Sequence, residues 1–186
     1  MTVLENARAV AKELEATLTL LDEEQTERFI DTILDARTIF TAGAGRSGLM
    51  MRAFAMRLMH MGFQVHVAGD VTTPAIRGGD LLVIGSGSGE TSGLVSMAAK
   101  ARSVGATTAI LTGFPNSSLG SIADSVVRIP APTPKSGSES SIASIQPMGS
   151  LFEQSLLVVL DATIMRLMEK KNVDSAEMFS RHANLE

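Results

Sequence analysis

The chain has 186 residues, of which 45% are hydrophobic and 19% are charged, and its formal net charge is −4. This length and composition exclude a disordered chain and predict one domain with enough apolar residues for a buried core. The acidic balance argues against nucleic-acid binding, and the absence of Cys excludes disulfide bonds, Cys-based zinc sites and a thiol nucleophile.

No segment of the sequence has the pattern of a targeting or membrane-spanning element. The amino terminus lacks a basic segment followed by an apolar run, and no apolar stretch approaches the roughly 20 residues that span a bilayer. We therefore expect a cytoplasmic protein that does not bind membranes. Mean hydropathy is nonetheless positive and there are 11 Met, which indicates either apolar surface covered in an oligomer or a rich core.

Two helices are expected before the first strand. Apolar residues recur at helical spacing over residues 3–20 and again over residues 21–36. Asp22, with Gln25 three residues later, matches a capping box that opens the second helix. Residues 1–36 are therefore assigned to amino-terminal helices.

From residue 37 to residue 129, short β-rich runs alternate with helical segments. The predicted strands lie at about 38–42, 65–67, 80–85, 107–111 and 125–129, with helices at about 47–61 and 91–104 and a helical turn near 118–123. The run 80–85 is continuously apolar, as in a strand covered on both faces. The alternation predicts the α/β class, with a doubly wound, open, parallel five-stranded sheet flanked by helices.

The carboxyl-terminal third is predicted to be a loop followed by helices. Residues 130–149 are rich in Pro, Ser and Gly, which predicts a loop. Residues 150–186 are assigned to a long helix over about 150–169 and a short helix from about residue 175. No internal repeat is found, so residues 1–186 are expected to form one domain.

Two Gly-rich segments each join a predicted strand to a predicted helix. They are Gly43-Ala44-Gly45-Arg46-Ser47-Gly48 and Gly85-Ser86-Gly87-Ser88-Gly89-Glu90-Thr91. Ligands of open parallel sheets bind at the carboxyl ends of the strands, and the free N–H groups of a helix start attract anions. The candidate phosphate-binding groups are the hydroxyls of Ser47, Ser86, Ser88 and Thr91 and the backbone at Gly45 and Gly87. The alternative is a pair of tight turns with Ser N-caps.

The first Gly-rich segment fits nucleotide-binding patterns poorly. Gly48 comes one position early for the dinucleotide pattern Gly-x-Gly-x-x-Gly. Asp70 lies near the position of the acidic residue that binds ribose, but it follows Gly69. No Lys follows either segment, which excludes a nucleoside triphosphate P-loop. The favoured ligand is therefore a smaller phosphate-bearing molecule.

The two segments, together with the order of the predicted strands, resemble the sugar isomerase (SIS) domain. Four further segments, at residues 57–62, 72–76, 146–154 and 181–186, resemble the 6-phospho-3-hexuloisomerases within that family, and the similarity covers essentially the whole chain. The resemblance implies a metal-independent, cofactor-free homotetramer that converts D-arabino-3-hexulose 6-phosphate to fructose 6-phosphate. It also implies a role in formaldehyde fixation by the ribulose monophosphate pathway, with active sites near subunit boundaries.

Glu153 is the candidate catalytic base. Moving a carbonyl from C3 to C2 requires a proton to pass between those carbons through an enediol, and one carboxylate can remove and return it. The sequence Ser150-Leu151-Phe152-Glu153 also matches a capping box, in which Glu153 would only cap a helix. The resemblance assigns the base role to Glu153.

His182 and Arg46 are the other candidate catalytic residues. The resemblance assigns ring opening and hydroxyl proton transfer to His182, and a His exchanges protons near neutral pH. Arg46, the one cation in the two Gly-rich segments, would stabilise an enediolate oxygen or contact phosphate; otherwise it is a surface residue at a helix start. His60 is a weaker candidate that more often would be a core or interface residue.

No metal site is expected, because the chain has no Cys and only three scattered His. The leading hypothesis is an isomerase acting on a sugar phosphate. The alternatives are a sugar-phosphate-binding regulatory module without turnover and an isomerase for a different sugar phosphate.

Overall fold

The computed structural model describes residues 1–132 and 143–185. Its helices are α1 (Val3–Leu18), α2 (Glu23–Asp35), α3 (Gly45–His60), α4 (Ser92–Ser103), α5 (Ser150–Lys171) and α6 (Ser175–Phe179). Its strands are β1 (Ile39–Gly43), β2 (Val65–Val67), β3 (Leu81–Gly85), β4 (Thr107–Thr112) and β5 (Ser125–Arg128). Residues 133–142 of the predicted loop lie outside the described residues.

The strands form one parallel sheet with the order β2-β1-β3-β4-β5. In the register, Ile39 of β1 pairs with Val65 of β2 on one side and with Leu81 of β3 on the other. The predicted doubly wound, five-stranded parallel sheet is confirmed. The strand order reverses between β1 and β3. Folds of this kind bind ligands in a crevice beyond the carboxyl ends of the two strands at the reversal.

Helices cover both faces of the sheet, but unequally. The larger core lies between one face and helices α2, α3 and α5, and its fully buried large side chains include Phe29, Phe54, Phe152, Ile33, Leu58 and Leu81. The smaller core lies between the other face and α4, and it contains Phe40, Ile84, Leu94 and Ala98. All five residues of β3 are buried, as its continuous apolar run predicts.

Local sequence patterns predict the start of α2 and the turn after β4. Asp22 is the N-cap of α2 and accepts a hydrogen bond from the Gln25 N–H at 3.1 Å. The Gln25 side chain does not complete the capping box; it donates to the Asp22 carboxylate and accepts from the Arg128 N–H. The segment 118–123 forms the predicted helical turn, in which the Ala123 N–H donates to the Leu119 carbonyl at 3.1 Å. None of the described helices is long and apolar enough to cross a membrane.

Candidate active site

A pocket of about 270 Å³ opens at the sheet edge where the strand order reverses. Its walls come from the segment after β1, the segment after β3 and the start of α5. The lining residues are Ala44, Ser47, Gly85, Ser86, Gly87, Ser88, Thr91, Leu94, Met148, Gly149, Phe152 and Glu153. The structure therefore brings the four predicted hydroxyls to the same pocket as the predicted base.

Glycines let the first Gly-rich segment pass tightly from β1 into α3. A Cβ atom on Gly48 would lie 2.7 Å from the Gly43 carbonyl oxygen, so a side chain there would collide with the strand end. Gly45 has a φ of 56°, in the left-handed region that favours glycine. This close turn places Ser47 on the pocket and Arg46 beside it.

The second Gly-rich segment presents its hydroxyls through its own backbone hydrogen bonds. Ser86 Oγ accepts from the Gly89 N–H, and Ser88 Oγ accepts from the Glu90 N–H. Each hydroxyl therefore keeps its proton for donation to a ligand.

Glu90 anchors this segment through Ser118 and does not line the pocket. Its two carboxylate oxygens accept from the Ser118 N–H at 2.7 Å and from the Ser118 hydroxyl at 2.6 Å. These hydrogen bonds lower the pKa of Glu90 below its ordinary value. The negative charge of Glu90 is thus held by Ser118.

Three helices begin at the pocket without a side-chain cap. The N-caps are Ala44 for α3, Thr91 for α4 and Gly149 for α5, and none makes a side-chain capping hydrogen bond. The Ser N-caps of the alternative interpretation are therefore not formed, because Ala44 and Thr91 occupy the N-cap positions that follow the two Gly-rich segments. First-turn N–H groups lack partners within their own helix, and helix starts carry partial positive charge, so they suit an anionic ligand.

Glu153 lies at the pocket wall and pairs with Arg46. The Arg46 Nη1 atom is 3.1 Å from Glu153 Oε2 and 3.0 Å from Ser150 Oγ. The capping-box interpretation of Glu153 is wrong, because α5 begins at Ser150 and Gly149 occupies the N-cap position. Ser150 lies one residue too late to cap the helix, and its hydroxyl accepts from Arg46 instead.

His182 lies in a different cavity of the same chain. Its ring stacks on His60 and Phe179, with centroids 5.4 Å and 5.7 Å apart, and all three line a cavity of about 380 Å³ with Arg57 and Asp161. Burial, with the charges of Arg57 and His182, lowers the pKa of the His60 ring. His60 is buried, as the core interpretation predicts.

The length of α3 separates His182 from Glu153. Arg46, the partner of Glu153, is in the first turn of α3, whereas His60, the partner of His182, is its last residue. Fourteen helical steps between these residues span about 20 Å. One chain therefore does not bring Glu153 and His182 to the same reacting carbon.

The sequence analysis missed the apolar part of the pocket. Met148, Phe152 and Leu94 line it together with Gly149. Three of these four residues lie close to Glu153 in the segment 146–154, so their closeness in sequence to the candidate base was the available signal. Within the described residues, no group of three or more His, Asp or Glu side chains is placed to hold a metal ion.

Comparisons with known proteins agree with this architecture. The model of the SIS domain matches residues 32–158. The chain belongs to the SIS domain family. A 3-hexulose-6-phosphate isomerase from Bacillus subtilis is 51% identical over 186 residues, covering 100% of both chains.

Two further relatives extend the similarity. A 3-hexulose-6-phosphate isomerase from Mycobacterium gastri is 47% identical, covering 99% of this chain and 92% of its own. A hypothetical protein from Methanococcus jannaschii, whose crystal structure infers a molecular function of 3-hexulose-6-phosphate isomerase, superposes with a TM-score of 0.83 at 32% identity. That match covers 98% of this chain and 99% of the other.

Proposed function

We propose that this SIS-family chain isomerises D-arabino-3-hexulose 6-phosphate to fructose 6-phosphate, as a step of formaldehyde fixation by the ribulose monophosphate pathway. The observation that carries the proposal is 51% identity to a 3-hexulose-6-phosphate isomerase over the full length of both chains. The pocket adds chemical support, because it combines groups that bind a phosphate with a carboxylate that can move a proton.

The phosphate binds where the uncapped helix starts meet. Ser86 and Ser88 offer hydroxyl protons, and the first turns of α3 and α4 offer N–H groups. The net charge of −4 does not attract an anion to the molecule. Phosphate affinity therefore depends on these local donors.

Glu153 transfers the proton between C2 and C3. Its carboxylate removes the proton from C2 of the 3-hexulose, and the electrons form an enediolate with the negative charge on O3. The hydroxyl proton of O2 passes to O3, the carbonyl forms at C2, and the same carboxylate returns its proton to C3. Arg46 is placed 3.1 Å from this carboxylate, and its guanidinium stabilises the negative charge that develops on the enediolate oxygens.

A second copy of the chain supplies His182 to each site. Within one chain, His182 and Glu153 are separated by most of the length of α3. The exposed side of α3 carries Leu49, Met56 and Met59, and α5 exposes Val158 and Met165, which supports helix-to-helix contacts between copies. The proposed assembly is a homotetramer.

The test of the proposal is turnover by Glu153→Gln. We expect kcat for fructose 6-phosphate formation to fall about 10³-fold, while fructose 6-phosphate still binds with nearly unchanged affinity. Glu169→Gln, at the exposed far end of the same helix, is the matched control and should keep wild-type turnover. Unchanged turnover in Glu153→Gln would reject the base.

The same assay separates the two alternatives. A binding module without turnover would show fructose 6-phosphate binding and no product in the wild-type chain. An isomerase for another sugar phosphate would turn over pentulose or heptulose phosphates faster than the hexulose. Both controls are run on the wild-type protein beside the variants.

A further inference from the structure

The segment 144–149 forms one wall of the pocket and leads directly into α5. Met148 and Gly149 line the pocket, and Ser150 and Glu153 follow in the first turn of the helix. The position of this segment therefore sets the position of the base relative to the phosphate-binding groups across the pocket.

One carboxylate of α1 holds this segment. Glu13 Oε2 accepts from the Ser144 hydroxyl at 2.7 Å and from Gln146 Nε2 at 2.9 Å, and Glu13 Oε1 accepts from the Ile145 N–H at 2.7 Å. These three hydrogen bonds join the segment 144–149 to the amino-terminal helix.

Glu13 carries its charge at neutral pH. The side chain is half-buried, and burial raises its pKa, but the hydrogen bonds from Gln146, Ile145 and Ser144 outweigh that effect, so the pKa lies below its ordinary value. A charged acceptor makes stronger hydrogen bonds than a neutral one. The three bonds therefore form a clamp between α1 and the pocket wall.

The backbone of the clamped segment is strained at Met148. Its φ is 57°, in the left-handed region that long side chains rarely adopt. Such a conformation persists when surrounding contacts hold it in place. The Glu13 clamp, two residues upstream at Gln146, supplies such contacts.

We propose that Glu13 is a positioning residue for the isomerase site: by holding Ser144, Ile145 and Gln146, it sets Met148, Gly149 and the first turn of α5 against the phosphate-binding segments. The inference rests on the proposed function for its turnover readout. It assigns a catalytic consequence to an amino-terminal helix that contributes no residue to the pocket lining.

The test compares two carboxylates that tie amino-terminal helices to the carboxyl-terminal part of the chain. Glu13→Ala removes the clamp at the pocket wall. Glu27→Ala is the matched control, because Glu27 accepts from Arg166 and pairs with Lys170 at 2.9 Å each, toward the far end of α5. Glu13→Gln is a second variant of the same shape, whose single amide oxygen cannot accept all three hydrogen bonds.

We expect Glu13→Ala to lower kcat/KM by between about 10-fold and about 100-fold, because small displacements of catalytic groups have effects of this size. Glu13→Gln should show a smaller loss in the same direction. Hydrogen exchange at the Ile145 amide should accelerate in both variants. Glu27→Ala should lower the melting temperature comparably and leave both kcat/KM and Ile145 exchange unchanged.

A loss of kcat/KM in Glu13→Ala no larger than that in Glu27→Ala would overturn the proposal, as would unchanged Ile145 exchange. If Glu13→Ala does not fold, Glu13→Gln decides by the same two measurements. If the wild-type chain shows no turnover, the proposed function fails, but the role of Glu13 can still be tested. Hydrogen exchange at the Ile145 amide and fructose 6-phosphate affinity, each compared between the wild-type chain and the Glu13 variants, then decide whether Glu13 positions the pocket wall.

Discussion

Arg46 donates from one guanidinium nitrogen to both the Ser150 hydroxyl and the Glu153 carboxylate. The side chains of this ion pair are 47% and 19% exposed, and such partly solvated pairs contribute little to stability. In the proposed mechanism the pair matters for the reaction: the guanidinium lies beside the carboxylate that we propose to move the proton, where it can stabilise charge that develops on the substrate.

At the scale of single residues, His182→Ala should affect the two reaction directions unequally. The 3-hexulose phosphate cannot close a five-membered ring, since that ring would need the phosphorylated C6 oxygen, whereas fructose 6-phosphate closes through its C5 hydroxyl. If His182 opens the ring, its loss should slow fructose 6-phosphate consumption about tenfold more than its formation. The measurement is the initial rate in each direction, normalised for the open-chain fraction of substrate; equal losses would reject the ring-opening role.

At the scale of elements, the second Gly-rich segment depends on one backbone position. Gly89 is buried and has a φ of 65°, and a Cβ atom there would overlap the Ser117 hydroxyl. The segment is also fastened through the Leu119 N–H, which donates to the Gly89 carbonyl at 3.0 Å. A side chain at Gly89 would therefore displace the hydroxyls that face the pocket.

Gly89→Ala should lower the free energy of unfolding by more than about 2 kcal/mol and weaken binding of inorganic phosphate. Gly93→Ala is the control: Gly93 lies in α4, and no atom beyond its own neighbourhood lies within 4 Å of where a Cβ would stand. Ala at this position should therefore stabilise the helix by about 0.5–1 kcal/mol. Urea unfolding and phosphate titration measure both effects. Equal stability of the two variants would contradict this account of the segment.

The carboxyl-terminal elements pack on His60, which links their docking to pH. The buried ring has a pKa below 6.5, through burial and the charges of Arg57 and His182, and Asp161 lines the same cavity. Arg181 fastens the terminal segment by donating to the His60 carbonyl at 3.1 Å. The proton affinity of His60 therefore depends on packing between α3 and the end of the chain.

This arrangement predicts a loss of stability on the acid side of neutrality. Below pH 6.5 the unfolded chain takes up a proton at His60 that the folded chain does not, so the free energy of unfolding falls as pH drops through 6.5 toward the lowered pKa. His60→Gln should be less stable at neutral pH but show a shallower slope across this window. Urea unfolding at several pH values and fixed protein concentration measures how the free energy of unfolding of each protein changes with pH. Identical slopes for the wild-type chain and His60→Gln would contradict the prediction.

At the scale of the whole molecule, positive mean hydropathy corresponds to particular exposed faces. Leu49 is 60% exposed on α3, and Met165 is 66% exposed on α5. Met148 is 82% exposed at the rim of the pocket, so an apolar residue of the site itself remains available to a neighbouring copy. These faces favour an assembly in which subunit contacts and active sites are close together.

Mixing two variants, one impaired at Glu153 and the other at His182, tests whether the site is shared. If Glu153 and His182 of different subunits act together, hybrids of Glu153→Gln and His182→Ala regain intact sites, because one site of each mixed pair receives both wild-type residues. Random exchange should restore about a quarter of the wild-type sites. Activity is measured after subunit exchange and compared with the unmixed variants; no gain above their mean would contradict a shared site.

Much of the fold follows from local patterns in the chain. Continuous apolar runs such as residues 81–85 mark buried strands, and the Gly-rich segments mark the points where the chain turns into a helix. The edge of the sheet that carries the candidate pocket follows too, since parallel strands end at one edge. The start of α5 was harder to predict: Ser150 and Glu153 match a cap in spacing, yet Gly149 takes that position.

The sequence by itself determined the sheet, the two Gly-rich segments and the residue types of the site, because strand runs, tight turns and helix starts are encoded by neighbours along the chain. Only the tertiary structure decided which of these side chains contact one another. Arg46 meets Glu153 across 107 residues, and Glu13 meets Ser144 across 131 residues. No local sequence pattern encodes such pairs, because they form where α1 and α3 pack near the start of α5. The packing of the terminal segment on α3 likewise places His182 beside His60.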